Sequence, residues 1–151
     1  MTHEYVIAYH GSIEPRGDAL ATAIGWADEA VLAVGSDEVV RSISRGDSTF
    51  IDLDGCVVTP MPTDLDRAGE LVRATTDEGL DVGRLLVGAG LLDPASALGP
   101  GSPADLAIWG RGLDPAEPKG TVVLQLVATV RGGHFTEGDD HRGPFPVPAT
   151  P

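Results

Sequence analysis

The apolar period of this chain changes twice, and that double change limits the folds open to it. Up to residue 58 the apolar residues alternate or run in lengths suited to strands, at 5–9, 21–24, 30–34, 50–53 and 56–58. Asp28 and Glu29, between the second and third stretches, read as the turn of a hairpin. Over residues 64–90 the spacing becomes helical: Leu65, Ala68 and Val72 share one face, and so do Val82, Leu85, Leu86 and Ala89. Gly79 separates these two patterns. Strand-like stretches return at 104–109, 122–130 and 133–136. A doubly wound sheet needs strands and helices in regular alternation, and this order lacks it. It predicts a mainly β fold with a small helical insert: a composite β-sandwich built from the N- and C-terminal segments, with short helices at about 36–45, 64–78 and 81–90.

Local signals set the expected boundaries. Ser36 offers an N-cap oxygen, and Asp37 and Glu38 follow in the first turn, where the helix dipole favours acids. Val39, Val40 and Ile43 share a face, and Gly46 can supply a left-handed exit after two to three turns. Loops are expected over 91–103, which holds Pro94, Gly99-Pro100-Gly101 and Pro103, and over the 110–120 connector with Pro115 and Pro118. These boundaries give one composite domain over 1–138, with an N-terminal β segment (1–60), a helical insert (63–90) and a C-terminal β segment (104–137). The Gly-, Asp- and Pro-rich stretch at 139–151 is expected to be a disordered tail. No internal repeat is visible.

A length of 151 residues suggests one domain and is short for a (β/α)8 barrel. No apolar run approaches the roughly 20 residues that cross a bilayer. Residues 1–5 lack the basic and apolar regions of a secretory signal, which implies a cytoplasmic protein. Acidic residues number 23 against 10 basic ones, for a net charge of −13. Such a field repels phosphate backbones and anionic lipid, so neither nucleic acid nor membrane is an expected partner. Its ordinary use is solubility. Cys56 is the single cysteine, so no internal disulfide can form. Between Gly55 and Val57 in an apolar strand, it reads as a small core residue rather than a nucleophile.

Four stretches together carry a family resemblance. Residues 57–68, Val-Val-Thr-Pro-Met-Pro-Thr-Asp-Leu-Asp-Arg-Ala, resemble the amidohydrolase stretch Pro-Gly-(aromatic)-(aliphatic)-Asp-Ala-His-x-His, with Pro60 and Asp64 in frame. Residues 21–58 are similar to that family's N-terminal segment, with Val31, Ala33, Val34, Gly35, Ile51, Asp52, Leu53 and Gly55 in step. Residues 99–109, Gly-Pro-Gly-Ser-Pro-Ala-Asp-Leu-Ala-Ile-Trp, resemble its Pro-Gly-x-x-Ala-Asp-Leu return from the barrel, and 127–135 its final strand pair. The resemblance covers roughly 19–60 and 82–138. In the family these two segments form a composite sandwich with a metal-bearing barrel between them. The stretch between residues 60 and 99 cannot hold a barrel of well over about 200 residues. The helix around Val82–Ala89 resembles the last barrel helix.

The resemblance implies hydrolysis of carbon–nitrogen bonds other than peptide bonds, at a metal held by histidines, an aspartate and often a carbamylated lysine. Asp66-Arg67-Ala68 stands where the two first histidines belong, and alanine has no donor atom. The chain's histidines are His3, His10, His134 and His141, and its one lysine, Lys119, lies in the Pro-Gly connector. Asp66 therefore reads as a solvated acid at a helix start, Asp64 as a helix cap, Asp105 as a loop hydrogen-bonding group and His134 as a surface imidazole. Asp139-Asp140-His141 reads as solvated charge. No Gly-x-Ser-x-Gly elbow is present, and neither Gly25-Trp26 nor Gly88-Ala89-Gly90 fits a phosphate loop. Trp26 and Trp109 read as core residues. The sequence thus nominates no catalytic, cofactor-binding or metal residue and no cofactor.

The reading that follows is a non-catalytic, amidohydrolase-like composite domain, acting as a binding or interaction module rather than as an enzyme when isolated. The alternatives are an accessory subunit that completes a separately encoded barrel, and a small metal-independent hydrolase using carboxylates and His134. Without a barrel, one sandwich face must be covered by the 64–90 helices, by a second copy in a homodimer, or by another partner chain.

Overall fold

A computed structural model describes residues 5–14, 21–44, 48–74, 81–93, 98–113 and 122–136; for 111–113 and 122 it describes the backbone alone. Two sheets carry the fold. The first has the order β4-β3-β1-β5, from β1 (Tyr5–Tyr9), β3 (Ala23–Ala27), β4 (Ala30–Gly35) and β5 (Thr49–Asp52). The second has the order β2-β6-β7-β8-β9, from β2 (Ser12–Ile13), β6 (Val57–Pro60), β7 (Leu106–Leu113), β8 (Val122–Arg131) and β9 (His134–Phe135). Segments on either side of the helical insert meet where β6 pairs antiparallel with β7, Val58 opposite Ile108. The fold is mainly β with three short helices among the described residues.

Strand periodicity explains the layers. In β1, Val6 and Ala8 point between the sheets, where they join Ile24, Trp26, Val31 and Ile51 of the first sheet and Ile13, Val58, Leu106, Ile108, Val130 and Phe135 of the second. Ile7 and Tyr9 point the other way, into a cluster with Ala23 and Val40 that α1 (Asp37–Arg41) covers. In β7, Leu106 and Ile108 face the inter-sheet core, whereas Ala107 and Trp109 face α2 (Leu65–Ala74) and α3 (Val82–Gly88). Ala68, Val72, Val82 and Leu86 close that outer layer and are almost wholly buried. Burying a side chain the size of Leu86 contributes about 1.5–3 kcal/mol, so the helices have a strong reason to stay on the sheet. α2 and α3 thereby cover the outer face of the second sheet.

Residues 101–104 tie the halves together. Val31 N–H donates to the Ser102 carbonyl at 2.8 Å, Gly101 N–H to that of Val31 at 2.8 Å, and Ala104 N–H to that of Glu29 at 2.8 Å. This strip therefore continues the edge of β4 before the chain crosses into the second sheet. Gly133 N–H then donates to the Ala104 carbonyl at 3.0 Å, and the Trp26 indole N–H to the Gly133 carbonyl at 2.9 Å.

Several boundaries differ from those the sequence predicts. The helix expected at 36–45 stops at Arg41. Ser42 Oγ donates to the Val39 carbonyl at 2.6 Å, and the Ile43 and Ser44 amides turn to carbonyls three residues back, which tightens the chain out of the helix. Gly46 lies outside the described residues, as do Gly79 and the end of the 64–78 window. The third helix ends at Gly88 because Gly90, at φ +76°, takes the left-handed exit and Leu91 N–H returns to the Leu86 carbonyl. The strand expected at 21–24 lies at Ala23–Ala27, so Gly25 and Trp26 are inside it. A Cβ on Gly25 would stand 2.9 Å from Ile43 Cδ1, so glycine here admits a close neighbour rather than a turn. Strand β7 runs to Leu113, into the expected 110–120 connector, and β9 holds two residues. The stretch 139–151 lies outside the described residues.

Candidate functional site

Asp64 and Asp105, which the sequence reads as a helix cap and a loop hydrogen-bonding group, take structural posts. Asp64 Oδ1 accepts the Arg67 N–H at 3.1 Å, which makes it the cap of α2. Two residues, about half a helical turn, separate the two positions where the resemblance would put histidines: Asp66 is exposed and Ala68 fully buried. Asp105 Oδ1 accepts the Gly132 N–H at 2.8 Å, and its carbonyl accepts the Met61 N–H at 3.0 Å, so it braces the turn between β8 and β9. His134 is exposed on β9, opposite Arg131. His3, Lys119, Asp139, Asp140 and His141 lie outside the described residues.

Both tryptophans are core residues with satisfied indoles. Trp109 donates to Thr59 Oγ1 at 3.0 Å, and Trp26 packs against Phe135 with ring centroids 6.1 Å apart. Cys56 is half-buried beside Gly110, where a Cβ would come within 3.1 Å of its Sγ. Burial first, then the Asp54 carboxylate, pushes its thiol above the ordinary 9.0, which disfavours the nucleophilic thiolate. Among the described residues no group of three or more His, Cys, Asp or Glu side chains could hold a metal ion.

One polar cluster forms that the sequence does not nominate. His10 leaves β1 at φ 59°, a left-handed conformation uncommon outside glycine. Its Nε2 lies 3.3 Å from Asp37 Oδ2 and its Nδ1 3.4 Å from Asp52 Oδ1. Its backbone N–H donates to Asp37 Oδ1 at 3.1 Å, the same oxygen that accepts the Thr22 hydroxyl at 2.8 Å. Parallel pairing of β1 with β5 sets Tyr9 beside Asp52, and α1 supplies Asp37. The Arg41 guanidinium lies 4.9 Å from the centroid of the Tyr9 ring and 5.6 Å from that of Phe50. Burial raises the Tyr9 phenol above its ordinary value; Asp52 adds to that, Arg41 opposes it and Asp37 adds again. Positions 10, 37 and 52 share no local motif, so no signal in the sequence groups them.

Chemically this cluster is a fastening. Each imidazole nitrogen faces a carboxylate, and Asp37 is also engaged by Thr22, so the cluster ties the end of β1 to α1 and β5. The imidazole is 59% exposed, and such pairs contribute about 1 kcal/mol or less. A second cluster is buried. Glu14, 1% exposed, accepts the Ser12 hydroxyl at 3.0 Å on Oε2 and the Val82 N–H on Oε1, tying the end of β2 to the start of α3. An open groove of about 370 Å³ lies beside β4 and α1, lined by Tyr5, Leu32, Ser42, Ile43 and Ser44. No helix among the described residues is long and apolar enough to cross a membrane. No protein-family model, curated protein or solved structure matches the chain.

Proposed function

We propose that the chain is a non-catalytic binding or interaction module, built on the composite sandwich of an amidohydrolase without its barrel. The observation that carries this reading is the place of Ala68. It stands where the resemblance would put a metal-binding histidine, and it is buried in the layer between α2 and Trp109. A side chain there packs the helix onto the sheet and has no open coordination position to serve. The pairing of β6 with β7 supports the same reading, since it joins the two segments that the resemblance pairs into one sandwich. The cover that α2 and α3 give the outer face of the second sheet favours a stand-alone module over a subunit awaiting a barrel.

Such a module acts through a partner, either a second copy of itself or another chain. Metal analysis of the purified protein, run with light scattering and an assay on amide and lactam substrates, tests the proposal. The expected result is no stoichiometric zinc and no turnover, with the scattering mass separating a monomer from a homodimer. Tightly bound zinc together with hydrolysis of a carbon–nitrogen bond would overturn it. Recovery of a barrel protein in a native pull-down would favour the accessory-subunit reading instead.

A further inference from the structure

We draw no further inference here: the strongest candidate, the open groove beside β4 and α1 lined by Tyr5, Leu32, Ser42, Ile43 and Ser44, carries none because nothing in the structure shows what covers it.

Discussion

A Cβ on Gly133 would stand 1.6 Å from the Asp28 carbonyl oxygen, and the residue sits at φ +85°, so substitution there meets two costs together. The left-handed backbone alone costs an alanine about 1–2 kcal/mol. Relieving the clash must also part the β8–β9 turn from the β3–β4 hairpin, which breaks the Trp26 indole bond to the Gly133 carbonyl. Gly133→Ala is therefore expected to lose about 3 kcal/mol or more. Gly90 has a similar φ of +76°, but a Cβ there would meet nothing within 4 Å, so Gly90→Ala should lose only the backbone share. Urea melts of the two variants read the difference, and equal losses would remove the close approach from the account. Cys56 gives a pH-dependent counterpart. Its folded thiol titrates above the ordinary 9.0, so the stability it contributes is full below that value and declines as pH rises through the folded one. Alkylation by iodoacetamide at pH 8 should accordingly be slower in the native protein than in urea, and equal rates would contradict the burial that raises the thiol.

The elements differ in how far local residues dictate them. The Asp28-Glu29 hairpin, the Ser36 cap of α1 and the Asp64 cap of α2 are legible because each rests on a few adjacent residues. The sequence pattern cuts strand β7 short because Gly110 and Gly112 look like turn residues. In the sheet Gly110 instead makes room, since a Cβ there would come within 2.7 Å of Val127 Cγ2. The two-residue β2 is too short to show a period, and the parallel β1–β5 pair joins positions about forty residues apart, as Ile7 with Phe50. The His10 cluster depends on that pair and is hidden with it. Glu14 is hidden for the same reason, because its partner Val82 is distant in the chain. The start of α3 is held twice, by Glu14 at the Val82 N–H and by Asp81 at the Arg84 N–H. Glu14→Ala would strand a buried amide and should cost about 1–3 kcal/mol, against about 1 kcal/mol for the Asp81→Ala cap change. Hydrogen exchange provides the element-level check: Glu14→Ala should speed exchange in α3 while leaving β1 and β3 protected.

The whole molecule stacks α1, the first sheet, the second sheet and the α2–α3 layer, and the chain crosses between layers repeatedly. Strand β2 leaves the first sheet's run to pair with β6, β6 pairs with β7 across the insert, and the 101–104 strip returns to β4 before β7 begins. Strand β2 of the second sheet comes from between strands of the first, and the α2–α3 stretch comes from between β6 and β7 of the second, so the layers should unfold together. The two tryptophans make this testable because they report different depths. Trp26 lies between the sheets, with Phe135 beside it, and Trp109 lies in the outer layer under α2 and α3. Trp109→Phe leaves the inter-sheet core as the fluorescent reporter, and Trp26→Phe leaves the outer layer. Each change removes an indole donor from a carbonyl or hydroxyl partner, so both variants should be weaker by about 1–3 kcal/mol. Within each variant, however, the urea midpoint by fluorescence should coincide with the midpoint by far-ultraviolet circular dichroism. A lower fluorescence midpoint confined to the variant that keeps Trp109 would mean that the helical insert detaches first, leaving the outer face of β7 bare while the sandwich remains folded.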